Sequence, residues 1–501
     1  MQSLLATAAN VLEDRVISPL ESKKPLPWHV DPAVQLSGNF APVFESSSPP
    51  VTRNLRVTGE MPPSLVGGAY VRNGANPLLQ PQGGYHLFDG DGMLHAEAAL
   101  GRPAFPKPIG ELHGRTGLAR LALLGLRAAA GVVDLAHGAG AANAGLVYFG
   151  GRLLALSEDD MPYHVHVHVG GPTTTTTIDS DEEEELQDGG DLRTVGRFDF
   201  AGQLRTPMIA HPKVDLATGE LFALSYDLVN RPYLRYFHVD PVTGEKSPDV
   251  AVTAVRRPTM VHDFAVTQGY AVIPDHQMVF DMWRMLRGGS PVVHDTGKTS
   301  RFGILPRYDR DDSRMPLVRR PGLLLLPRVE RVGRGRRRGD HLLLHHAARR
   351  ALSPPPTPAS MCAPPCRRSG STSARANPPR RALAAGLSLE AGTVNRSRLG
   401  RRTRPSPVRE YGAGRFGGEP TFVPAAAATG AGKGEEEEEG HLVVMVHDEA
   451  AGTSELVVMD ARGGGMETVA TVALPCRVPY GFHGVFVTRD QLAAQKGSLL
   501  D

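Results

Sequence analysis

The chain has 501 residues, a formal net charge of +2, 41% hydrophobic residues and three cysteines, enough to bury one large core or two to three ordinary ones; it is not a small disulfide scaffold. Gly and Pro make up about a fifth of it, against roughly 12% in average usage, and so turn-rich a composition argues against a helical bundle. Cys362, Cys366 and Cys476 have neither C-x-x-C nor zinc-ribbon spacing, so a bound metal must use other ligands, and so few thiols fit a reducing compartment.

In chain order, Leu4, Leu5, Ala8, Val11, Leu12 and Val16 keep helical spacing and predict an N-terminal amphipathic segment over residues 1–26. Glu13 and Asp14 do not suit a transit peptide, so no clear targeting segment is read here. Asp89-Gly90-Asp91-Gly92 opens like a calcium loop but lacks the later ligands and the closing Glu, and is read as a turn. Over residues 118–130, Arg120 and Arg127 share one side of a helix that Leu118, Leu121, Leu123, Leu124 and Leu126 otherwise surround, a helix that is either core or dipped into a membrane interface. No run of eighteen uncharged apolar residues occurs, so no spanning helix is expected.

Short β-rich runs then recur around Gly, Asp and Asn turns, at 146–156, 221–239, 264–272 and again at 442–446, 455–459 and 468–473. They predict an all-β sandwich, barrel or propeller, and the length suits a propeller best. His164, His166 and His168 stand at i, i+2, i+4, one face of a strand, but without further ligands at fixed spacing they read as a surface row rather than a metal site. The tracts 174–185 and 425–439 are acidic or low in complexity and read as solvated loops. Between Arg319 and Arg381 stand fifteen Arg, no Lys and only two acids, Glu330 and Asp340, so the rest of the 55 basic and 53 acidic residues leaves the remainder acidic by eleven. That stretch is Pro-rich, has no aromatic residue and no periodicity; it reads as disordered, and without stacking side chains no nucleic-acid partner is expected.

His211, His262 and His483 match no local metal motif by spacing, but their surroundings are informative: Met208-Ile209-Ala210-His211-Pro212-Lys213, Thr259-Met260-Val261-His262-Asp263-Phe264 and Pro479-Tyr480-Gly481-Phe482-His483-Gly484. These strings resemble the histidine motifs of the carotenoid cleavage dioxygenases, as do Gly38-Asn39-Phe40-Ala41-Pro42, Tyr70-Val71-Arg72-Asn73-Gly74-Ala75-Asn76-Pro77, His86-Leu87-Phe88-Asp89-Gly90-Asp91-Gly92-Met93 and Arg415-Phe416-Gly417-Gly418-Glu419-Pro420. The run Phe105-Pro106-Lys107-Pro108-Ile109-Gly110-Glu111-Leu112-His113-Gly114 looks like the plant 9-cis-epoxycarotenoid dioxygenase branch.

The resemblance covers about 27–315 and 389 onward. It implies an all-β, seven-bladed β-propeller over 27–501, incomplete here and interrupted at 315–388, with a helical cap and membrane-facing helices. It further implies that His211, His262 and His483 are three of four Fe(II) ligands, with no catalytic side chain beyond the iron site. Glu158, Glu390 and Glu419 would be the carboxylates that accept from the histidines' far ring nitrogens, and Phe482 would line the substrate path. The implied reaction joins dioxygen and a 9-cis-epoxycarotenoid at the 11,12 double bond and yields xanthoxin, the route to abscisic acid. The implied location is the chloroplast stroma, in peripheral contact with the thylakoid.

The chain departs from the pattern where the fourth histidine is due. A family-like Phe-His-Val-Trp-Asn-Ala-Trp-Asp written as TTC CAC GTG TGG AAC GCG TGG GAC and regrouped out of frame reads Pro-Arg-Val-Glu-Arg-Val-Gly, which is residues 327–333. The fourth ligand is thus missing near Pro327, and further segments look lost after His95 and after Arg404. The alternative expectation is therefore a catalytically inactive or wrongly assembled member of the family.

Overall fold

Alternation of apolar and polar residues, broken at glycine, folds this chain into antiparallel hairpins. The computed structural model describes residues 2–22, 37–43, 52, 54–76, 91–92, 114–131, 138, 142–168, 191–281, 292–319, 387–390, 393–396, 408–425, 440–461 and 466–499. The turn between Gly145–Phe149 and Arg152–Leu156 shows how the sequence sets the register: Gly150 and Gly151 take φ of +57° and +80°. Two successive positive φ values give the turn whose twist matches paired strands, and glycine takes them without a Cβ clash.

Four sheets among the described residues carry four or more strands, in a propeller-like arrangement of blades. The first runs in chain order through Gly145–Phe149, Arg152–Leu156, Tyr163–His168 and Asp191–Arg197. The second is Lys213–Val214, Leu221–Tyr226, Leu234–Val239 and Val250–Ala251. The third is Ala265–Val266, Tyr270–Asp275, Arg301–Pro306 and Leu317–Arg319, with the hairpin Met278–Phe280 and Val292–His294 between its middle strands. The fourth joins both ends of the chain, because Val57–Gly59 pairs with Thr468–Ala473 beside Thr453–Asp460 and Gly440–Asp448. A second tie between the ends is Ala69–Arg72 against Gly484–Val487.

One apolar core runs through the first three blades, with Leu154, Leu156, Phe222, Leu224, Tyr236, Phe237, Phe264, Ile273 and Leu305 all buried. The second and third blades are also locked by Arg307, whose guanidinium lies 4.1 Å from the Phe222 ring centre and whose carbonyl accepts from the Tyr236 hydroxyl at 3.1 Å. These contacts make a rigid frame, which a site assembled from loop ends requires.

The row of three histidines is not the exposed surface row expected of it. His164 is fully buried, His166 partly buried and His168 exposed, and the register slip opposite His164 and Val165 comes from one extra residue, Val195, in the partner strand Asp191–Arg197. Asp91–Gly92 pairs with Ala75–Asn76 as a short strand rather than a free turn. The helix Gly114–Ala129 forms, and so does Gln2–Leu12, continued by a π-helical turn Glu13–Ile17. Arg127 ties the two helices by donating to Glu13 at 2.7 Å and Asn10 at 2.6 Å. These helices and the short helix Ser18–Ser22 that follows the first expose Val11, Leu12, Val16, Leu20 and Leu126. No described helix is long and apolar enough to cross a membrane. Most of the Arg-rich stretch, including Pro327, lies outside the described residues.

Candidate metal centre

Each of the three histidines stands just ahead of a short strand. His211 precedes Lys213–Val214, His262 precedes Ala265–Val266, and His483 immediately precedes Gly484–Val487. The approach to His211 is pinned by Met208 N–H donating to the Asp160 carbonyl at 3.1 Å and Ile209 N–H to that of Leu224 at 2.9 Å. Pro212 then holds the residue before it extended. His262 follows Met260, whose N–H donates to the Met278 carbonyl at 3.0 Å. Around His483 two backbone bonds of 2.8 Å, Asn73 N–H to His483 O and Phe482 N–H to Asn73 O, fix the segment against residue 73.

These loops bring three imidazoles together although 51 and 221 residues separate them. Their ligand nitrogens all lie within 4.8 Å of one another. The His211 ring stands 4.5 Å from those of His262 and His483, at 70° and 89°. The Nε2 atoms of His211 and His262 are 3.1 Å apart, the separation of two nitrogens sharing one cation at about 2.0–2.1 Å from each.

Glu158 accepts from His262 Nδ1 at 2.5 Å and Glu419 accepts from His483 Nδ1 at 2.6 Å. An acceptor at Nδ1 keeps the proton there and leaves Nε2 a bare lone pair aimed inward. Burial pulls the His262 imidazole down, but the hydrogen bond and charge of Glu158 outweigh it and hold the group above the ordinary histidine value. Inward-facing imidazole nitrogens, braced from behind by carboxylates, suit a divalent transition-metal ion. The residues present therefore fit iron.

Glu390 ends the strand Leu387–Glu390, paired through its backbone register with Thr393; its side chain lies outside the described residues. Phe482 is partly buried beside His483. Three further features escape a search for ligand motifs. Asn73, fully buried, donates from Nδ2 to the carbonyls of Ala142 at 2.8 Å and Gly145 at 3.3 Å. Asp160 accepts from the Arg197 guanidinium and the Tyr163 hydroxyl, bracing the turn that carries Glu158. Lys213 pairs with Asp263 at 2.7 Å. Only the last leaves a sequence signal, since each partner stands within two residues of a candidate ligand.

A family profile described as retinal pigment epithelial membrane protein matches residues 40–320 and 378–488, skipping most of the Arg-rich stretch. A chloroplastic 9-cis-epoxycarotenoid dioxygenase of Arabidopsis thaliana is 42% identical over 549 aligned positions, covering 99% of this chain and 88% of that protein. One of Oryza sativa subsp. japonica is 38% identical, covering 98% and 81%. A carotenoid 9,10(9',10')-cleavage dioxygenase of Phaseolus vulgaris is 32% identical, covering 92% and 90%. Among solved structures, a lignostilbene dioxygenase of Pseudomonas brassicacearum superposes with a TM-score of 0.56 at 20% identity, over 93% of this chain and 99% of that one.

Proposed function

We propose, from the premise that this chain belongs to the carotenoid cleavage dioxygenase family, that it is an Fe(II)-dependent 9-cis-epoxycarotenoid dioxygenase. The observation that carries the reading is the convergence of His211, His262 and His483 with Glu158 and Glu419 behind two of them. His211, His262 and His483 would hold the iron, and Glu390 would be a third carboxylate of the site, while the fourth ligand due near Pro327 is missing. When bound, iron(II) supplies the activation of dioxygen that inserts one oxygen atom at each carbon of the cleaved 11,12 double bond, giving xanthoxin and an apo-aldehyde. Neutral imidazoles hold a dication without cancelling its charge, which keeps it electrophilic. Glu158 and Glu419 fix tautomer and aim, and Phe482 lines the path of the polyene.

In the same reading, residues 27–501 are one propeller of seven blades, interrupted at 315–388, and residues 1–26 are an amphipathic segment. The apolar outer face of that segment and of the helix Gly114–Ala129 rests on the thylakoid surface, where carotenoids dissolve. The chloroplastic names of the plant relatives support a plastid location.

The deciding experiment supplies iron-loaded protein with a 9-cis-epoxycarotenoid and dioxygen and looks for xanthoxin by mass spectrometry. Xanthoxin is expected. No product, under conditions where a plant relative turns over, selects the second reading, an inactive member; the out-of-frame string at residues 327–333 favours that alternative.

A further inference from the structure

Three segments around the candidate centre hold one another in a closed circuit. The turn with Glu158 holds the His262 segment through the 2.5 Å carboxylate bond. The same turn holds the His211 segment through the Asp160 carbonyl, which accepts from Met208 N–H at 3.1 Å. The third side is the Lys213–Asp263 pair: Nζ and Oδ1 lie 2.7 Å apart, the Asp263 side chain is 1% exposed and that of Lys213 22%. Asp263 Oδ1 also accepts from Phe264 N–H at 2.7 Å, so the carboxylate is fixed in its own loop before the lysine reaches it.

The strands these segments start are the edges of different blades, Lys213–Val214 in the second and Ala265–Val266 in the third. Within this circuit the Lys213–Asp263 pair joins the His211 segment directly to the His262 segment. Lys213 follows His211 by two residues and Asp263 follows His262 by one, so displacement of either partner is carried to a ring whose Nε2 stands 3.1 Å from its neighbour's. We propose that Lys213 and Asp263 are positioning residues that set the spacing of His211 and His262 and thereby the affinity and geometry of metal binding. The inference rests on the metal-site reading above.

The test titrates Co(II), followed by its visible absorption, into the full chain and three variants. Lys213→Gln removes the charge but keeps a donor, and Lys213→Met with Asp263→Asn removes the tie without leaving a buried charge unpaired. Lys213→Arg keeps the tie. Loss of a partner behind the ligands weakens metal binding by about 10–100-fold, the expected result for the double variant, together with a shifted Co(II) band and an unchanged melting profile. Lys213→Gln should fall between it and the wild type, and Lys213→Arg should restore affinity and band position. Wild-type affinity and spectrum in both the double variant and Lys213→Gln overturn the proposal. If the double variant does not fold, Lys213→Gln decides alone, on the same two readouts. No Co(II) uptake by the unaltered chain overturns the metal-site reading itself, and the positioning role with it.

Discussion

Glu158 and Glu419 each spend a carboxylate on one ring nitrogen, and the two are not equally sheltered, 29% exposed against 9%. The better-buried bond is the harder to replace with water, so Glu419→Gln is expected to lower metal affinity about 10–100-fold and Glu158→Gln toward the lower end of that range; competition with a chromogenic chelator reads both. Away from the centre, burial, reinforced by the Lys298 charge, pushes His276 down from 6.5 to about 4, and its Nδ1 accepts from Met278 N–H at 3.2 Å. The unfolded chain takes up a proton below 6.5 that the folded one refuses, so this stability is complete above 6.5 and is lost as pH falls toward 4, on the order of 3 kcal/mol. Asp159, pushed by burial from 3.8 up to about 6, works in the opposite direction between those values. Melting His276→Gln and wild type at pH 7 and pH 4.5 separates them: the wild type should lose more stability on acidification. At this scale His211, His262 and His483 were legible from the words around them, whereas Asn73 was not, because its role lies in accepting and donating across hundreds of residues of sequence.

Hairpins were the most legible elements, since a glycine turn between apolar runs is a local signal; 146–156 is read almost as it folds. The bulge opposite His164 was hidden because its extra residue, Val195, lies in the partner strand and shows only in the pairing register. Close approach is equally silent. A Cβ on Gly145, the first residue of its strand, would stand 1.8 Å from the Ala210 carbonyl oxygen, and Ala210 precedes His211. Gly145→Ala must move one backbone or the other, at a cost of about 1–3 kcal/mol, and is expected to weaken metal binding as it lowers the melting temperature. Gly269→Ala, where a Cβ meets nothing within 4 Å, is the matched control and should change neither.

Over the whole molecule, what the sequence could not display is which hairpin neighbours which, because blade order depends on contacts between distant residues. Fold class was legible; the pairing of the chain's two ends was not. The two helices joined by Arg127 and Glu13 present Leu12 at 45% and Leu126 at 54% exposure. Full burial of a Leu is worth about 1.5–3 kcal/mol, so Leu12→Ser with Leu126→Ser should reduce co-sedimentation with plastid-lipid vesicles by about tenfold or more while the melting temperature holds; unchanged sedimentation removes these helices from membrane contact. The pairing of Ala69–Arg72 with Gly484–Val487 has a consequence in time as well as in space. His483 stands directly before Gly484–Val487, so the last candidate ligand and the strand that ties the two ends of the chain leave the ribosome together. A nascent or nicked chain that lacks this stretch holds two of the three histidines and leaves Ala69–Arg72 without its partner strand, so on the proposed function the full ligand set would come together only once the two ends of the chain have met.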